Sequence, residues 1–339
     1  MLNKHCILQM INRSCWLKGL RNAKSFLLFT GILFAGASSV FAGLTSGFSF
    51  LNTDFSPRSA AMASAFMTMR GDLNTLNMNP AGLASVKGKP FFFNYTNYLL
   101  DINGGQAGYS FVAPYLQRVA VSISYMDYGN FETTDQYAVP TGETFSAHDF
   151  ALMVTQAGYL DAHFSYGVSV KYAFSQIENY NAQAVGFDFG LQYAAPFEKD
   201  LYFAVTFLNT GWNIKRFGST KESLPTTLNV GVSKRLAHLP LEVSAVLRGL
   251  NLDSDEWYNR FERFSVGGEL MLSKHLRLRL GYNHSLHQDL DTGASAQGNF
   301  GGVSGGVSIY VRSLRFDYAY SNLQDLGNIH RFGISGSIH

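Results

Sequence analysis

The chain has little cysteine, little charge and no long hydrophobic run, and each shortage closes off a class of protein. Its two cysteines, Cys6 and Cys15, both stand near the start of the 339 residues. Lys4, Arg13, Lys18, Arg21 and Lys24 make the same region positive, Phe26 to Ala35 follow as an apolar run, and Val40-Phe41-Ala42 offers small residues for cleavage. Three such parts in that order read as a secretory signal over residues 1–42, so the mature chain is expected to begin near Gly43. Cysteine leaves with the signal, which excludes a disulfide framework, a thiol nucleophile and a thiolate metal site. The apolar run is shorter than the roughly 20 residues a spanning helix needs, and no later stretch supplies them.

Charged residues are 15% of the chain, against about 25% in an average soluble domain. With 46% hydrophobic and 14% aromatic residues, the surface must be apolar somewhere. Residues 1–42 hold five of the 26 basic residues and none of the 24 acidic ones, so the mature chain carries −3 in place of +2. No clustered Lys and Arg remain to follow a phosphate backbone, which excludes nucleic acid as a partner.

What the chain does have is alternation. Phe164, Tyr166, Val168, Val170, Tyr172 and Phe174 are large and apolar, while Ser165, Gly167, Ser169, Lys171, Ala173 and Ser175 between them are small or polar. Val185 to Tyr193 repeats this in the other phase, and Leu276 to Asn283 and Leu314 to Tyr320 repeat it again. Period two over so many segments predicts about 14 strands in residues 90–339 and an all-β fold, a transmembrane antiparallel β-barrel. A soluble barrel also alternates, but its solvent face usually carries many Lys, Glu and Thr; here the polar face is rich in Gly, Ser and Ala, which suits a crowded lumen. The even-numbered residues 164–174 are accordingly expected to face lipid. The connections alternate between tight turns, such as 114–116 and 236–239, and longer loops at 128–146, 213–223, 251–260 and 286–299. That order places the short turns and both barrel ends in the periplasm of a Gram-negative cell, the barrel in its outer membrane.

Residues 43–89 do not alternate and are expected to form a plug entering from the periplasmic side. Ser56 can cap a helix, Pro57 fits its first position, and Ala60, Ala61, Ala63 and Ala65 keep the following turns slim. Breaks are expected at Gly71-Asp72 and at Asn79-Pro80-Ala81-Gly82. Plug positions singled out are Pro57, Arg58, Asp72, Asn79, Pro80 and Gly82. Lumen positions are Lys171, Asp188, Glu242, Arg248, Glu269, Arg277, Arg279, Arg315, Asp317 and Arg331. Buried charges need partners, so these should pair with one another or hold the plug; a selectivity lining is the alternative.

Catalytic chemistry has no foothold. Gly302-Val303-Ser304-Gly305-Gly306 matches Gly-x-Ser-x-Gly but lies within an alternating strand, not on a strand-to-helix elbow. His284, His287, Asp289 and Asp291 cluster at a strand end with a spacing that fits no established metal site. No enzyme, cofactor or metal is expected.

Several stretches together resemble the PorV/PorQ family of outer-membrane proteins, built on a FadL-like barrel. They are Pro57 to Ser64, Asp72 and Asn79 to Leu83 in the plug, Phe93 to Tyr98 with Asp101 to Asn103, and Tyr125 to Gly129. Near the end come Leu272 to Lys274, Arg279 to His284 and Asp325 to Arg331, and the likeness is strongest to PorQ. Two departures stand out: Ala63-Ser64 replaces paired glycines, and the chain ends in Ile338-His339 and not in an aromatic residue. The resemblance implies a component of the type IX secretion system that holds or hands over cargo for attachment at the cell surface. Its implied partners are outer-membrane lipid, other secretion and attachment components, cargo C-terminal domains and lipopolysaccharide. The alternative reading is a FadL-like passive transporter of hydrophobic small molecules.

Overall fold

The computed structural model describes residues 48–137, 139–217, 223–252, 256–290 and 300–338. The secretory signal and the first residues of the plug lie outside them, as does His339. The strands are β1 (Lys89–Asn97), β2 (Asn103–Ala113), β3 (Gln117–Thr134), β4 (Pro140–Tyr159), β5 (Phe164–Ile177), β6 (Tyr180–Ala194) and β7 (Leu201–Lys215). They continue as β8 (Thr227–Arg235), β9 (Leu241–Leu247), β10 (Phe264–Met271), β11 (Leu276–Asn283), β12 (Val303–Val311), β13 (Leu314–Asn322) and β14 (Asn328–Ile338). Each pairs antiparallel with its neighbour in sequence, and β1 meets β14 to close the barrel, from Lys89 opposite Ile338 to Asn97 opposite His330. Closure leaves no edge strand in the wall and satisfies the backbone inside hydrocarbon.

Alternation sets the polarity of the wall. On β11 Leu280 is 70% exposed while Arg279 beside it is 2% exposed. On β5 Phe164, Val170 and Tyr172 point outward, and Ser165, Ser169, Lys171, Ala173 and Ser175 are buried. A soluble barrel has the reverse arrangement, so this outer surface is matched to lipid. No described helix is long and apolar enough to cross a membrane; the strands do that. At the end with the longer connections the outer face finishes in aromatic pairs, Tyr125 with His148, Tyr282 with His284, and Tyr320 with His330.

Inside the barrel runs the plug. A single helical turn, α1 (Pro57–Ala60), begins at Ser56, whose Oγ accepts from the Ser59 amide at 3.3 Å. The slim helix expected to run on towards Gly71 stops there. Ala63 and Ser64 take φ of 50° and 62°, a left-handed conformation that ends an α-helix, and the Ser64 amide turns back to the Ser59 carbonyl at 2.9 Å in a Schellman-type closure. Positive φ costs a non-glycine residue about 1–2 kcal/mol. The turn is held because Ser64 Oγ donates to Asp54 Oδ2 at 2.6 Å and Arg248 donates to the Ser64 carbonyl. Two 3-10 turns follow: Leu73–Asn77, capped by Asp72, and Pro80–Ser85, capped by Asn79 with Pro80 at the first position.

Two connections differ from the loops expected of them. The 128–146 segment is mostly strand: β3 continues to Thr134 and β4 starts at Pro140, with Asn130, Phe131 and Glu132 opposite Ser146, Phe145 and Thr144. Its Phe and Thr residues favour extended backbone, and Gly129, at φ 79°, sits at the bulge where the register shifts. The 286–299 segment begins within a short helix, α2 (His284–Leu290); residues 291–299, including Asp291, lie outside the described ones.

Candidate functional site: the plug in its lumen

Arg58 is buried where plug and wall meet. From α1 its guanidinium reaches Glu269 of β10 with two bonds, Nε to Oε2 at 2.8 Å and Nη2 to Oε1 at 2.9 Å. Its Nη1 reaches Asp72 Oδ2 at 2.6 Å, and the group lies over the Phe66 ring. Asp72 also pairs with Arg315 of β13 at 2.7 Å, Arg315 with Asp317 at 2.7 Å, Asp317 with Arg279 of β11 at 3.3 Å, and Arg279 with Glu269 at 2.5 Å. The six groups form a closed ring of alternating charge, two from the plug and four from the wall. Arg277 adds a further bond to Glu269 at 2.8 Å. Every carboxylate in the ring meets at least two guanidiniums, which is the condition under which charges can stay ionised away from water.

Asp72 illustrates the balance. Burial disfavours its charged form, but Arg315, Arg58 and the Asn74 amide outweigh that and hold the carboxyl well below the usual range.

The remaining lumen positions sit elsewhere. Lys171 and Asp188 pair across β5 and β6 at 2.8 Å, and both bind Asn209, which in turn donates to Asn52 of the plug at 2.9 Å. Arg331 donates to the Asp54 carbonyl at 2.7 Å. Glu242 lies opposite Glu269 in the β9–β10 register, beside the ring. Arg248 supports the Ser64 turn and lines a cavity. Asn79 does two jobs: its Oδ1 accepts from the Ala81 amide, and its Nδ2 donates to the Met67 carbonyl at 2.8 Å.

Sequence reasoning missed the residues that let plug and wall approach. A Cβ at Gly281 or Gly267 would overlap Met62, at Gly167 it would overlap Pro80, at Gly190 Asn79, and at Gly333 Pro57. The small-residue composition of the lumenal face was the available signal, but nothing in the pattern says which glycine faces which plug residue. Arg70 was missed as well: it donates to Tyr159 at 3.1 Å and lies over the Tyr202 ring at 4.8 Å.

Between plug and wall remains a cavity of about 210 Å³, reaching from Met67 and Met78 of the plug to Leu252 and Ser285 at the loop-rich mouth. Leu208, Val246 and Arg248 are also on its surface. His284 and His287 stack on each other, with Tyr282 bonded to His284 at 3.2 Å and His287 to the Gly301 carbonyl at 3.1 Å.

These features define a class: a transmembrane β-barrel of 14 strands whose lumen is occupied by an N-terminal plug. No family model matches the sequence, and neither does any curated protein. Among solved structures the chain is similar to the Ralstonia pickettii toluene transporter TbuX, with 14% identity and a TM-score of 0.55 over 85% of this chain and all of that one. The Pseudomonas putida toluene transporter TodX follows at 12% identity and a TM-score of 0.53, over 88% and 98% of the two chains. A Pseudomonas aeruginosa FadL homologue matches at 10% identity and a TM-score of 0.50, over 89% and 100%. The fold is thus that of FadL-like outer-membrane barrels.

Proposed function

We propose that the protein is a non-enzymatic barrel of the Gram-negative outer membrane through which small hydrophobic molecules pass, with the plug as the gate. The observation that carries this reading is the cavity between plug and mouth. Its roughly 210 Å³ exceeds the about 150 Å³ of an apolar cavity that takes up benzene; the lining is mixed, with Met67, Met78, Leu208, Val246 and Leu252 giving apolar surface beside polar Asn77, Asn209, Asn229 and Arg248. The FadL-like fold shared with two toluene transporters supports the same reading. The test is uptake of a labelled monoaromatic hydrocarbon by intact cells, comparing wild type, a deletion strain and Val246→Trp, which fills the cavity. Uptake should fall in both variants; unchanged uptake in the deletion strain would sink the proposal.

A second reading, a type IX secretion component that holds or hands over cargo, is favoured by the ring that ties the plug to three wall strands. A gate so firmly held suits a barrel that works through its outer surface, with attachment components, cargo C-terminal domains or lipopolysaccharide as partners. Loss of surface-attached cargo in the deletion strain, with hydrocarbon uptake intact, would put this reading first.

A further inference from the structure

The β3–β4 hairpin rises beyond the barrel wall. Pairing of β2 with β3 begins at Asn103 opposite Asp127, and pairing of β4 with β5 ends at Ala147 opposite Ile177. Residues 128–134 and 140–146 therefore stand above their neighbours, by roughly 20 Å at the usual rise per residue. Apart from the Glu178 amide donating to the Ser146 carbonyl, no strand flanks them among the described residues. Two-stranded ribbons are marginal in water, and exposed strand edges are templates for further pairing.

The chemistry of the ribbon selects what can pair with it. Phe131 and Phe145 stack at 5.3 Å. In β4 the buried residues Ala147, Asp149 and Ala151 face the lumen, so Phe145 and its opposite residue Phe131 lie on the side overhanging the mouth. Glu132, opposite Thr144, lies on the other face. Between Arg118 and Lys171 the chain has no Lys or Arg. Asp135 accepts from the Tyr137 and Val139 amides, while Glu132 and Glu143 are exposed. A phosphate-bearing ligand would be repelled, and a second copy would bring the same carboxylates.

We propose that this ribbon docks an extended Lys- or Arg-bearing segment of another protein, added as a strand along its edge. Period two sorts the contacts: alternate apolar residues cover Phe131 and Phe145, and the basic residues between them reach Glu132. The inference holds whichever way the lumen works.

The test uses the full barrel in detergent and two labelled synthetic peptides, one alternating Lys and Val, the other Glu and Val, with fluorescence polarisation as readout. The Lys-Val peptide should bind, more weakly at high salt, and the Glu-Val peptide should not. Glu132→Gln with Glu143→Gln should weaken binding by up to roughly tenfold, as loss of exposed charge contacts does. Replacing residues 130–146 by Asn-Gly should abolish it while the barrel keeps its heat-modifiable migration. Equal binding of the Glu-Val peptide, or unchanged binding to the shortened barrel, would overturn the proposal. So would calcium uptake by the hairpin with no peptide bound. If the shortened barrel does not fold, Phe131→Ser with Phe145→Ser decides in its place: unchanged binding overturns the proposal and weakened binding supports it.

Discussion

Two plug residues, Arg58 and Asp72, bear a large share of the anchoring, and their surroundings decide what replacing them does. Arg58→Met leaves Glu269 with Arg277 and Arg279 as partners but opens the ring and removes the bidentate bond. Breaking a buried pair costs about 3–5 kcal/mol, so the plug of this variant should be cleaved faster by protease at 57–86 while the barrel still migrates as folded. Asp72→Asn should act similarly, and the double variant should lose less than the sum, because both residues serve one network. Additive losses would show that the two act separately. The depressed Asp72 carboxyl adds a pH prediction. A group lowered in the folded state stabilises above its unfolded value of about 4 and loses that contribution as pH falls through its folded value. Protease resistance of the plug should therefore be flat from about pH 5 to 8, and the gap between wild type and Asp72→Asn should close only in strong acid. A gap that closes near neutrality would contradict the ring.

At the scale of elements, the wall is matched to the plug backbone by glycine and to the membrane by alternation. Gly281→Ala places a methyl on the Met62-Ala63 backbone, whereas Gly186→Ala meets Leu224 at an ordinary 3.5 Å. Overpacking typically costs 1–3 kcal/mol, so by denaturant titration the first should destabilise by about that much and the second by little. Val168→Arg, on the lipid face, should cost about 2–4 kcal/mol in lipid. Ser169→Arg looks harmless from alternation alone, since it points to the lumen, but Ser169 is fully buried and bonded to Thr155 at 2.8 Å. This contrast marks how much could be read in the sequence. The strands were legible because the 164–174 alternation is local, and the charged lumen residues because they interrupt small-residue faces. The end of α1 was not, since Ala63 and Ser64 look helical and turn left-handed only through bonds to Asp54 and Arg248. Nor was the ring, which joins residues 58, 72, 269, 279, 315 and 317 and exists only once the barrel closes. The 128–146 hairpin was hidden by a length that resembles a loop.

For the whole molecule the question is whether plug and barrel stand or fall together, and the physics separates them. Wall hydrogen bonds close on themselves from β1 to β14 without help from the plug, so the cylinder does not need it for backbone satisfaction. Removing the plug entirely also differs from removing one charge. A point substitution leaves its partners dry and short of one counter-charge, Glu269 with Arg277 and Arg279 and Asp72 with Arg315, while deletion of residues 50–83 opens the lumen to water, which can solvate Glu269, Arg279, Arg315 and Asp317 and lowers the cost of separating them. The deleted form should therefore insert into membranes and show heat-modifiable migration, yet admit small sugars in liposome swelling that the full protein excludes. Failure to insert would mean that the plug is part of the folding core. The same form separates the two functional readings, because they assign the plug opposite tasks. If it is a gate for hydrophobic solutes, its removal should raise or deregulate hydrocarbon uptake and leave surface cargo untouched. Were it a strut for a docking barrel, cargo attachment would fail while uptake stayed at the level of the wild type.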